Sequence, residues 1–464
     1  MIRKSQAYEC GGLRPRSPRA ACCGKSGNKF PHSKMLAAII TAFYVTSVPA
    51  GETLPGKLDL ATAVALAHQH NPTLKEIDAR VDEQDGKIEE LYAARKPELT
   101  LVGNGSELDQ GRLQSFGDFS PESTTWNATA EAVITVYSGG RSLEAIRAEK
   151  ARMASLGHQR EAAMHQITTD VHEAFYDAQL ASENILVQEQ VIQLLEKQLN
   201  FTRNRLQAGV GEHFDVLQGQ VALANAQPAL IRARNTYRRN IDLLRIAIGL
   251  PYPEGLGAAD IALIPSEVLP DFDLQVSEAL SSAEARRPEL QELDRLAEAT
   301  RHQIEVSVRN DRPFIDLFAD YAVESDQFGG TDYLDGWKTG VRLNWTFYDS
   351  GKTRSLVKQG RARLDQIQYQ RAALLLTISS QIRQAFYDYE EAQAILSTTG
   401  QVTEQAEAAL GLAENRYQAG RGTQLEILQS QLQLTQSLLE DITALNTLQK
   451  SVIRIKRAAG IPIE

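Results

Sequence analysis

The chain carries the hexapeptide NRLQAG at residues 204–209 and the hexapeptide NRYQAG at residues 415–420, which is 211 positions later. The tetrapeptide AFYD recurs at the same distance, first at residues 174–177 and then at residues 385–388. Three further pairs keep this offset: IGLP at 248–251 with AGIP at 459–462, Trp126 with Trp337, and Tyr137 with Tyr348. One offset maintained over so long a stretch indicates an internal duplication of the chain.

The upstream part of the duplication has a slightly larger offset. The dipeptide NP at residues 71–72 corresponds to RP at residues 287–288, which is 216 positions later. The first copy therefore has five extra residues between Pro97 and Trp126. A surface loop tolerates such a difference in length, so we place a loop there.

The duplication predicts four segments along the chain. We expect a leader at residues 1–50, a first structural repeat at 51–251, a linker at 252–271 and a second structural repeat at 272–464. Prolines are frequent at the joint between the repeats, as is typical of a linker. Each repeat is predicted to contain, in order, a helix, a strand, a loop, a strand, a very long helix, a tight turn and a return helix.

The predicted long helices carry a stripe of mainly apolar or small residues whose spacing alternates between three and four, as in a coiled coil. In the first repeat the stripe consists of Met164, Ile167, Val171, Ala174, Ala178, Ala181, Ile185, Gln188, Ile192, Leu195 and Leu199. In the second repeat it consists of Leu375, Ile378, Ile382, Ala385, Tyr389, Ala392 and Leu396. Residues 142–208 lack proline and hold one internal glycine, Gly157, so this helix is predicted to be roughly 100 Å long. Such a helix must pack along others in a tube or a bundle.

Four shorter segments alternate between apolar and polar residues, which predicts strands. The clearest places Trp337, Thr339, Val341, Leu343, Trp345 and Phe347 on one face and Lys338, Gly340, Arg342, Asn344 and Thr346 on the other. The other three segments begin near residues 99, 127 and 314. Apolar residues facing outward, polar residues facing inward and aromatics near the ends are typical of an outer-membrane barrel, although a half-buried soluble sheet gives the same alternation in any single strand.

Four strands are too few to close a barrel. An open sheet edge is not tolerated in lipid, so several chains must share one barrel if this sheet lies in a membrane. The chain has no run of about 18 or more uncharged apolar residues, so no helix is expected to span a bilayer. The sequence therefore predicts an oligomer in which each chain contributes four strands.

The amino-terminal segment resembles a secretory leader. Residues 1–34 hold eight basic residues and one acid, and an apolar stretch follows from Met35 to Val45. The stretch ends at the tripeptide VPA, residues 48–50, which fits a cleavage site with small residues. All three cysteines lie in this leader, so the predicted mature chain has no disulfide and no cysteine metal site.

Charge and residue content exclude several functions. Without the leader the chain has 41 basic and 58 acidic residues, a net charge of −17, so we expect no nucleic-acid partner. No nucleophile–base pair or phosphate loop is apparent, which indicates that the protein is not an enzyme and needs no cofactor. His158, His165 and His172 are seven residues apart, about 10 Å by helical rise, too far to share a metal ion. We interpret them as a repeated outer position of the helix.

These features together resemble the TolC-like outer-membrane factor family over about residues 56–462. The resemblance is carried by the AFYD segments and by the YxxG motif at residues 137–140 and 348–351. The most specific parts are the two helix-turn-helix tips, at residues 205–217 and 416–428. The fold class implied is mainly α with a membrane β-barrel. Each tandem-repeat subunit has long coiled-coil helical hairpins and four strands, and a trimer forms a twelve-stranded barrel with an α-helical periplasmic tunnel.

The resemblance also implies a function and partners. It predicts an outer-membrane channel-tunnel subunit in a Gram-negative bacterium, in contact with outer-membrane lipid. The channel passively conducts substrates that an inner-membrane pump and a periplasmic adaptor, or membrane fusion protein, export. Multidrug efflux, metal efflux and type I protein secretion all fit this plan.

The resemblance assigns candidate site residues at the tips. At the periplasmic aperture it places Glu426, with Gln429 one helical turn further on. Polar contacts that hold the closed tips together match Tyr417 and Asp215, whereas the gate arginine of the family has no clean match, since Gly422 occupies its place. The adaptor-docking tips correspond to Gly209, Gly211, Gly420 and Gly422.

A periplasmic coiled-coil adaptor or scaffold protein is the alternative interpretation. Adaptors usually present one helical hairpin between β-rich halves, whereas this chain is predicted to have two hairpins and amphipathic strands. Extraction from the outer membrane that depends on detergent would support the channel, and release with soluble periplasmic proteins would support the alternative.

Overall fold

The structure, a computed structural model, describes residues 57–107, 124–251, 262–265, 272–325 and 332–463. The predicted leader lies outside the described residues. The first half contains, in order, β1 (Lys57–Leu58), α1 (Leu60–His70), α2 (Pro72–Ala93), β2 (Glu98–Glu107), β3 (Thr124–Tyr137), α3 (Arg141–Gln207) and α4 (His213–Ile248). The second contains β4 (Ala262–Leu263), α5 (Val276–Arg286), α6 (Pro288–Val308), a 3-10 turn (Arg309–Asp311), β5 (Phe314–Ser325), β6 (Leu334–Asn344), α7 (Lys352–Gln418) and α8 (Gln424–Ala458).

The duplication seen in the sequence is repeated in the structure. The long helices α3 and α7 have 67 residues each, and their ends differ by the predicted 211 positions. The same ion pair joins a short helix to a long helix in both halves, between Arg160 and Asp78 at 2.6 Å and between Arg371 and Asp294 at 2.9 Å. The mainly helical, tandem-repeat fold class is therefore confirmed, although each repeat has two short helices before its strands where one was predicted.

Each long helix packs against the return helix that follows it. The predicted apolar stripe of α3 is buried at Ile167, Val171, Ala178, Leu195 and Leu199. In α7 the corresponding stripe is buried at Ile378, Ile382, Ala385 and Ala392. These side chains leave water together, which contributes the apolar burial that stabilises each hairpin.

Both return helices end against a corner between two short helices. Gly249, after α4, has a left-handed φ of +87°, and a side chain there would approach the Asn71 backbone to 2.7 Å. The Asn71 side chain donates to the Ala247 carbonyl at 3.0 Å, and Arg287 donates to the equivalent Ala458 carbonyl at 3.4 Å. The NP and RP dipeptides noted in the sequence thus close the same corner in both repeats.

The four longer strands form one antiparallel sheet in the order β2-β3-β5-β6. One cross-strand row contains Leu101, Ala130, Tyr321 and Trp337, and the adjacent row on the other face contains Thr100, Glu131, Asp320 and Lys338. Ion pairs cross the polar face, from Lys338 to Asp320 at 3.5 Å and from Arg342 to Glu131 at 3.3 Å. The predicted separation of an apolar and a polar face is confirmed.

Two details differ from the predictions. Strand β6 ends at Asn344 and not at Phe347, and the Trp345 indole donates to the Asp311 carbonyl at 2.9 Å. His172 is buried and not on an outer position, with its Nδ1 donating to the Thr168 carbonyl at 2.7 Å. The physical reason is that α3 contacts helices of both repeats, so that more than one of its faces is covered.

A buried carboxylate joins the start of α3 to the second repeat. The Glu144 side chain is 4% exposed and contacts His302 at 2.8 Å, Arg309 at 3.1 Å and Arg147 at 2.7 Å. Burial by itself raises the pKa of this carboxyl, but the His302 hydrogen bond and the two arginine charges outweigh it, so the pKa lies below its ordinary value. Arg309 also donates to the Gly140 carbonyl at 3.1 Å.

Part of the predicted linker is structured. Strand β4 pairs in parallel with β1, and the Ile264 amide donates to the Leu58 carbonyl at 2.9 Å. The described part of the linker is therefore hydrogen-bonded to the start of the first repeat. The segment boundaries themselves stay a prediction.

Candidate functional site

The candidate site consists of the two helix-turn-helix tips. At the first tip, the Val210 amide donates to the Arg205 carbonyl at 3.0 Å. At the second tip, the Arg421 amide donates to the Arg416 carbonyl at 2.8 Å. These bonds satisfy carbonyls that a helix end leaves unpaired, and they require a left-handed residue just before them.

Glycine supplies that conformation and the space for the turn. Gly209 and Gly420 have φ of +74° and +71°, which L side chains rarely adopt. A side chain at Gly211 would lie 2.8 Å from a backbone nitrogen of the preceding helix, and one at Gly422 would lie 3.0 Å from the Tyr417 nitrogen. Forming the turn thus accounts for all four glycines, and adaptor docking at these positions stays a prediction.

The structure brings Tyr417 and Asp215 together. The Tyr417 hydroxyl donates to the Asp215 carboxylate at 3.2 Å, so the long helix of the second repeat bonds to the return helix of the first. Burial, followed by the nearby Asp215 charge, raises the pKa of Tyr417, which keeps the phenol protonated as a donor. The pair is a polar link between the tips of one chain.

Arg205 strengthens the same link, and the sequence prediction missed it. Its guanidinium lies 4.9 Å from the centre of the Tyr417 ring and donates to the Tyr417 carbonyl at 2.8 Å. Phe201 packs against that ring with an edge-to-face geometry at 6.0 Å between centroids. The arginine within each repeated hexapeptide was the available signal.

The aperture candidates lie at the start of α8. Thr423 caps this helix by accepting from the Glu426 amide at 3.3 Å, and its hydroxyl donates to the Glu426 carboxylate at 3.4 Å. Arg416 lies 3.8 Å from the same carboxylate. Glu426 and Gln429 share one helix face because they are three residues apart, and Gln429 is exposed.

Two kinds of site are absent from the residues that the structure describes. None of the described helices combines the length and the apolar content that crossing a membrane requires. In the part of the chain that the structure describes, no three His, Cys, Asp or Glu residues form a group that could hold a metal ion. The tips and the two-faced sheet hold the features on which we base a function.

Solved structures show where this combination of sheet and hairpins occurs. The fold is similar to the outer-membrane channel CmeC of Campylobacter jejuni, with a TM-score of 0.75 and 15% sequence identity. The match covers 86% of this chain and 85% of that chain. The chain therefore has the fold of a subunit of that channel.

The sequence identifies the family. The profile of the family described as Outer membrane efflux protein matches residues 63–250 and 279–461, so the chain belongs to this family. Protein CyaE of Bordetella pertussis is 23% identical over 87% of this chain and 84% of its own length. The cobalt-zinc-cadmium resistance protein CzcC of Cupriavidus metallidurans is 23% identical over 87% of this chain and 90% of its own length.

Proposed function

We propose that three copies of this chain form one passive conduit, in which a shared barrel crosses the outer membrane and six helical hairpins form the tunnel. The supporting observation is the sheet, which has β2 and β6 at its two edges and therefore leaves each with a row of backbone groups that no other strand of the described residues pairs. Three copies supply twelve strands. An inner-membrane pump supplies the energy, a periplasmic adaptor connects the pump to the tips, and the chain itself catalyses no reaction.

Native mass spectrometry of the protein extracted in detergent tests this assembly. We expect a trimer, and planar bilayers with the same sample should show ion-conducting channels. A folded monomer that inserts and conducts alone would show that the sheet closes without a second copy.

The two faces of the sheet provide a second test. Val341 is exposed on the apolar face, and we expect Val341→Asp to block insertion, because a charge facing lipid costs on the order of 2–4 kcal/mol for Arg or Lys and somewhat less for Asp. Asn344→Asp, on the opposite face of β6, is the matched control and should insert normally. Equal insertion of both variants would contradict the lipid-facing assignment.

We further propose that Glu426 lines the periplasmic entrance. Three symmetry-related carboxylates around one axis attract cations. Arg416, at 3.8 Å, offsets part of this charge within each chain. Glu426→Gln should therefore reduce cation selectivity and block by divalent ions, whereas Arg416→Gln should increase both.

The first tip supplies the control for the entrance. Glu212 precedes α4 as Thr423 precedes α8, and its side chain makes no cap hydrogen bond. Glu212→Gln should change selectivity less than Glu426→Gln. The reverse order in planar bilayers would show that the first tip, and not the second, lines the entrance.

Docking of an adaptor at the tip glycines is the last part of the proposal. Val210 is exposed beside Gly209, so a photo-crosslinking residue there should capture a periplasmic adaptor in the native host. The same residue at exposed Leu186, on the middle of α3, is the control. Capture of the adaptor at Leu186 alone would place docking on the side of the tunnel.

A further inference from the structure

The two repeats of one chain contact each other through α3 and α8. The Lys450 ammonium lies 2.8 Å from both Asp177 carboxylate oxygens, and Arg454 donates to Glu173 at 2.7 Å. Nearer the tips, the Gln431 side chain donates to the Val191 carbonyl at 3.4 Å. These contacts fix how a long helix of one repeat meets the return helix of the other.

The opposite combination, α4 with α7, meets at the tips, where Tyr417 bonds to Asp215, but among the described residues its middle is not covered in the way that α3 and α8 cover each other. We call the surface formed by residues 220–246 of α4 and 381–402 of α7 the open face. Residues of the same type at equivalent positions are buried in the α3–α8 combination and exposed in the α4–α7 combination. Tyr176 of α3 is 3% exposed, whereas the equivalent Tyr387 of α7 is 61% exposed. Gln431 of α8 is buried, whereas the equivalent Gln220 of α4 is exposed.

The open face retains the chemistry of the covered contact. In the other repeat, Asp177 corresponds to Asp388, which is 211 positions later, and Lys450 corresponds to Arg239, which is 211 positions earlier. The equivalent pair is therefore again an acid and a base. Shifting the Val191–Gln431 pair gives Val402 and Gln220, the same two residue types.

Apolar residues of α4 stand where α8 has two arginines. The positions of Arg454 and Arg457 correspond in α4 to Leu243 and Ile246, which are 56% and 55% exposed in the single chain. Covering these side chains stabilises an interface by removing apolar area from water. Two exposed apolar residues beside a base are thus placed opposite a helix that supplies an acid.

We propose that the open face binds a second copy of this chain in the register of the α3–α8 contact, so that Asp388 of one copy pairs with Arg239 of the next. The proposal rests on the shared assembly proposed above and adds the contacts that hold it. Repeat two of one copy then meets repeat one of the next, a head-to-tail arrangement that closes into a ring. Within its own chain, Asp388 lies 3.8 Å from Arg454 and accepts from Gln384, and Arg239 donates to the Thr236 hydroxyl at 3.1 Å. Rotation about side-chain bonds can exchange these contacts for the new pair.

The sheet supplies an independent register for the same contact. Ala132 of β3 pairs with Ala319 of β5 inside the chain. The residue equivalent to Ala132 in the second repeat is Leu343, and the residue equivalent to Ala319 in the first repeat is Gly103, by the offsets of 211 and 216 positions. The same pairing between two copies therefore places Leu343 of one copy opposite Gly103 of the next. Both residues lie on the apolar face, so this register continues the two faces of the sheet without a break.

Two experiments on the full-length protein test the proposal. In the first, Arg239→Asp and Asp388→Arg should each raise the monomer fraction in detergent several-fold, and the double variant should restore the trimer. The matched in-chain variant Lys450→Asp removes a contact inside one protomer, so its effect should appear as lower protomer stability.

In the second experiment, cysteines replace Gly103 and Leu343 together. Directly opposite residues of an antiparallel pair have Cα atoms about 4.5–5.5 Å apart, which suits a disulfide. Oxidation should yield a covalent trimer on a denaturing gel, whereas the control Ala132→Cys with Ala319→Cys should remain at monomer size. The three natural cysteines lie at positions 10, 22 and 23, within the predicted leader.

The outcomes separate this register from the assembly itself. Trimers that form normally but neither crosslink between Gly103→Cys and Leu343→Cys nor respond to charge reversal would overturn the register and leave the trimer intact. An unmodified protein that is monomeric in its membrane-inserted form would overturn the proposed function, and the register with it.

Discussion

The two long helices are equal in length and similar in sequence, but their ends are held differently. At the start of α3, Glu144 contacts His302 and Arg309 of the second repeat, whereas the equivalent Ser355 of α7 donates only to the Gly351 carbonyl within its own turn. At the far end, Arg205 of α3 binds the second tip, whereas Arg416 of α7 lies near Glu426 of its own hairpin. The duplicated helices thus have the same backbone structure, but the polar contacts at their ends differ because different elements pack against them.

The largest expected effect is on the stability of the protomer, and it should differ between the middle of α3 and the middle of α7. Tyr176→Ala removes a buried ring, and loss of a large buried aromatic typically costs about 3–5 kcal/mol. Tyr387→Ala, at the equivalent but exposed position, should leave the fold of the protomer intact and weaken only assembly. Urea denaturation followed by circular dichroism, with native mass measured in parallel, separates the two effects. Equal loss of protomer stability would mean that the repeats do not differ in this way.

The start of α3 should be the next most sensitive position. Glu144→Gln replaces a buried carboxylate that accepts from charged groups, and such hydrogen bonds contribute about 1.5–3 kcal/mol. Ser355→Ala, its counterpart in α7, should cost less, because that side chain bonds only to a local carbonyl. Hydrogen exchange at the first turns of α3 and α7 would measure the difference.

Acid should reproduce the effect of Glu144→Gln. The pKa of Glu144 is lower in the folded chain than in the unfolded chain, so its stabilising contribution is present above the ordinary carboxyl pKa near 4.5. That contribution is lost as pH falls through the lower folded value. As the pH falls from about 5 through the lowered pKa of Glu144, the Glu144→Gln variant should therefore lose less stability than the natural chain. Parallel pH curves would contradict this assignment.

A smaller effect is expected at the link between the tips. Tyr417→Phe keeps the ring between Phe201 and Arg205 but removes the bond to Asp215, which should cost about 0.5–1.5 kcal/mol. If this link restrains the entrance, the variant should raise single-channel conductance without changing the trimer. Leu206→Ala, at the equivalent position of the first tip, should leave conductance unchanged.

The smallest effect should come from the helix caps. Thr423→Ala removes the cap of α8, and such a loss typically lowers stability by about 1 kcal/mol and by as little as about 0.5 kcal/mol. Glu212→Ala, at the start of α4, removes no cap hydrogen bond. Hydrogen exchange of the first turn should increase in α8 and remain unchanged in α4. Increased exchange in both helices would show that the two tips are capped alike.

The sequence was sufficient for the features that depend on periodicity. The three-four spacing predicted the long helices, the alternation predicted the strands, and the fixed offset predicted that both occur twice. The sequence was less informative about where a strand ends, because the alternation continues to Phe347, although strand β6 stops at Asn344. Trp345 keeps the alternation in sequence, but its indole bonds to Asp311 beyond the strand.

Contacts between the repeats were beyond the reach of sequence periodicity. Arg205 and Tyr417 lie 212 positions apart, and their contact depends on how two hairpins pack. His172 was placed on an outer face for the same reason, because a helical pattern does not show that a second repeat covers that face. The Tyr417–Asp215 pair was proposed from family resemblance, and the structure brings its atoms together, while its role in gating stays a prediction.

The equal length of α3 and α7 restricts how such a protein can change during evolution. Inserting residues into one of these 67-residue helices alone would shift its turn away from the other turn and separate Arg205 from Tyr417. A tolerated insertion has to keep the stripe spacing, which means whole heptads of about 10 Å each, and has to occur in both long helices and both return helices. Descendants of this chain that span a wider or narrower periplasm should therefore differ from it by four matched insertions or deletions, each a multiple of seven residues.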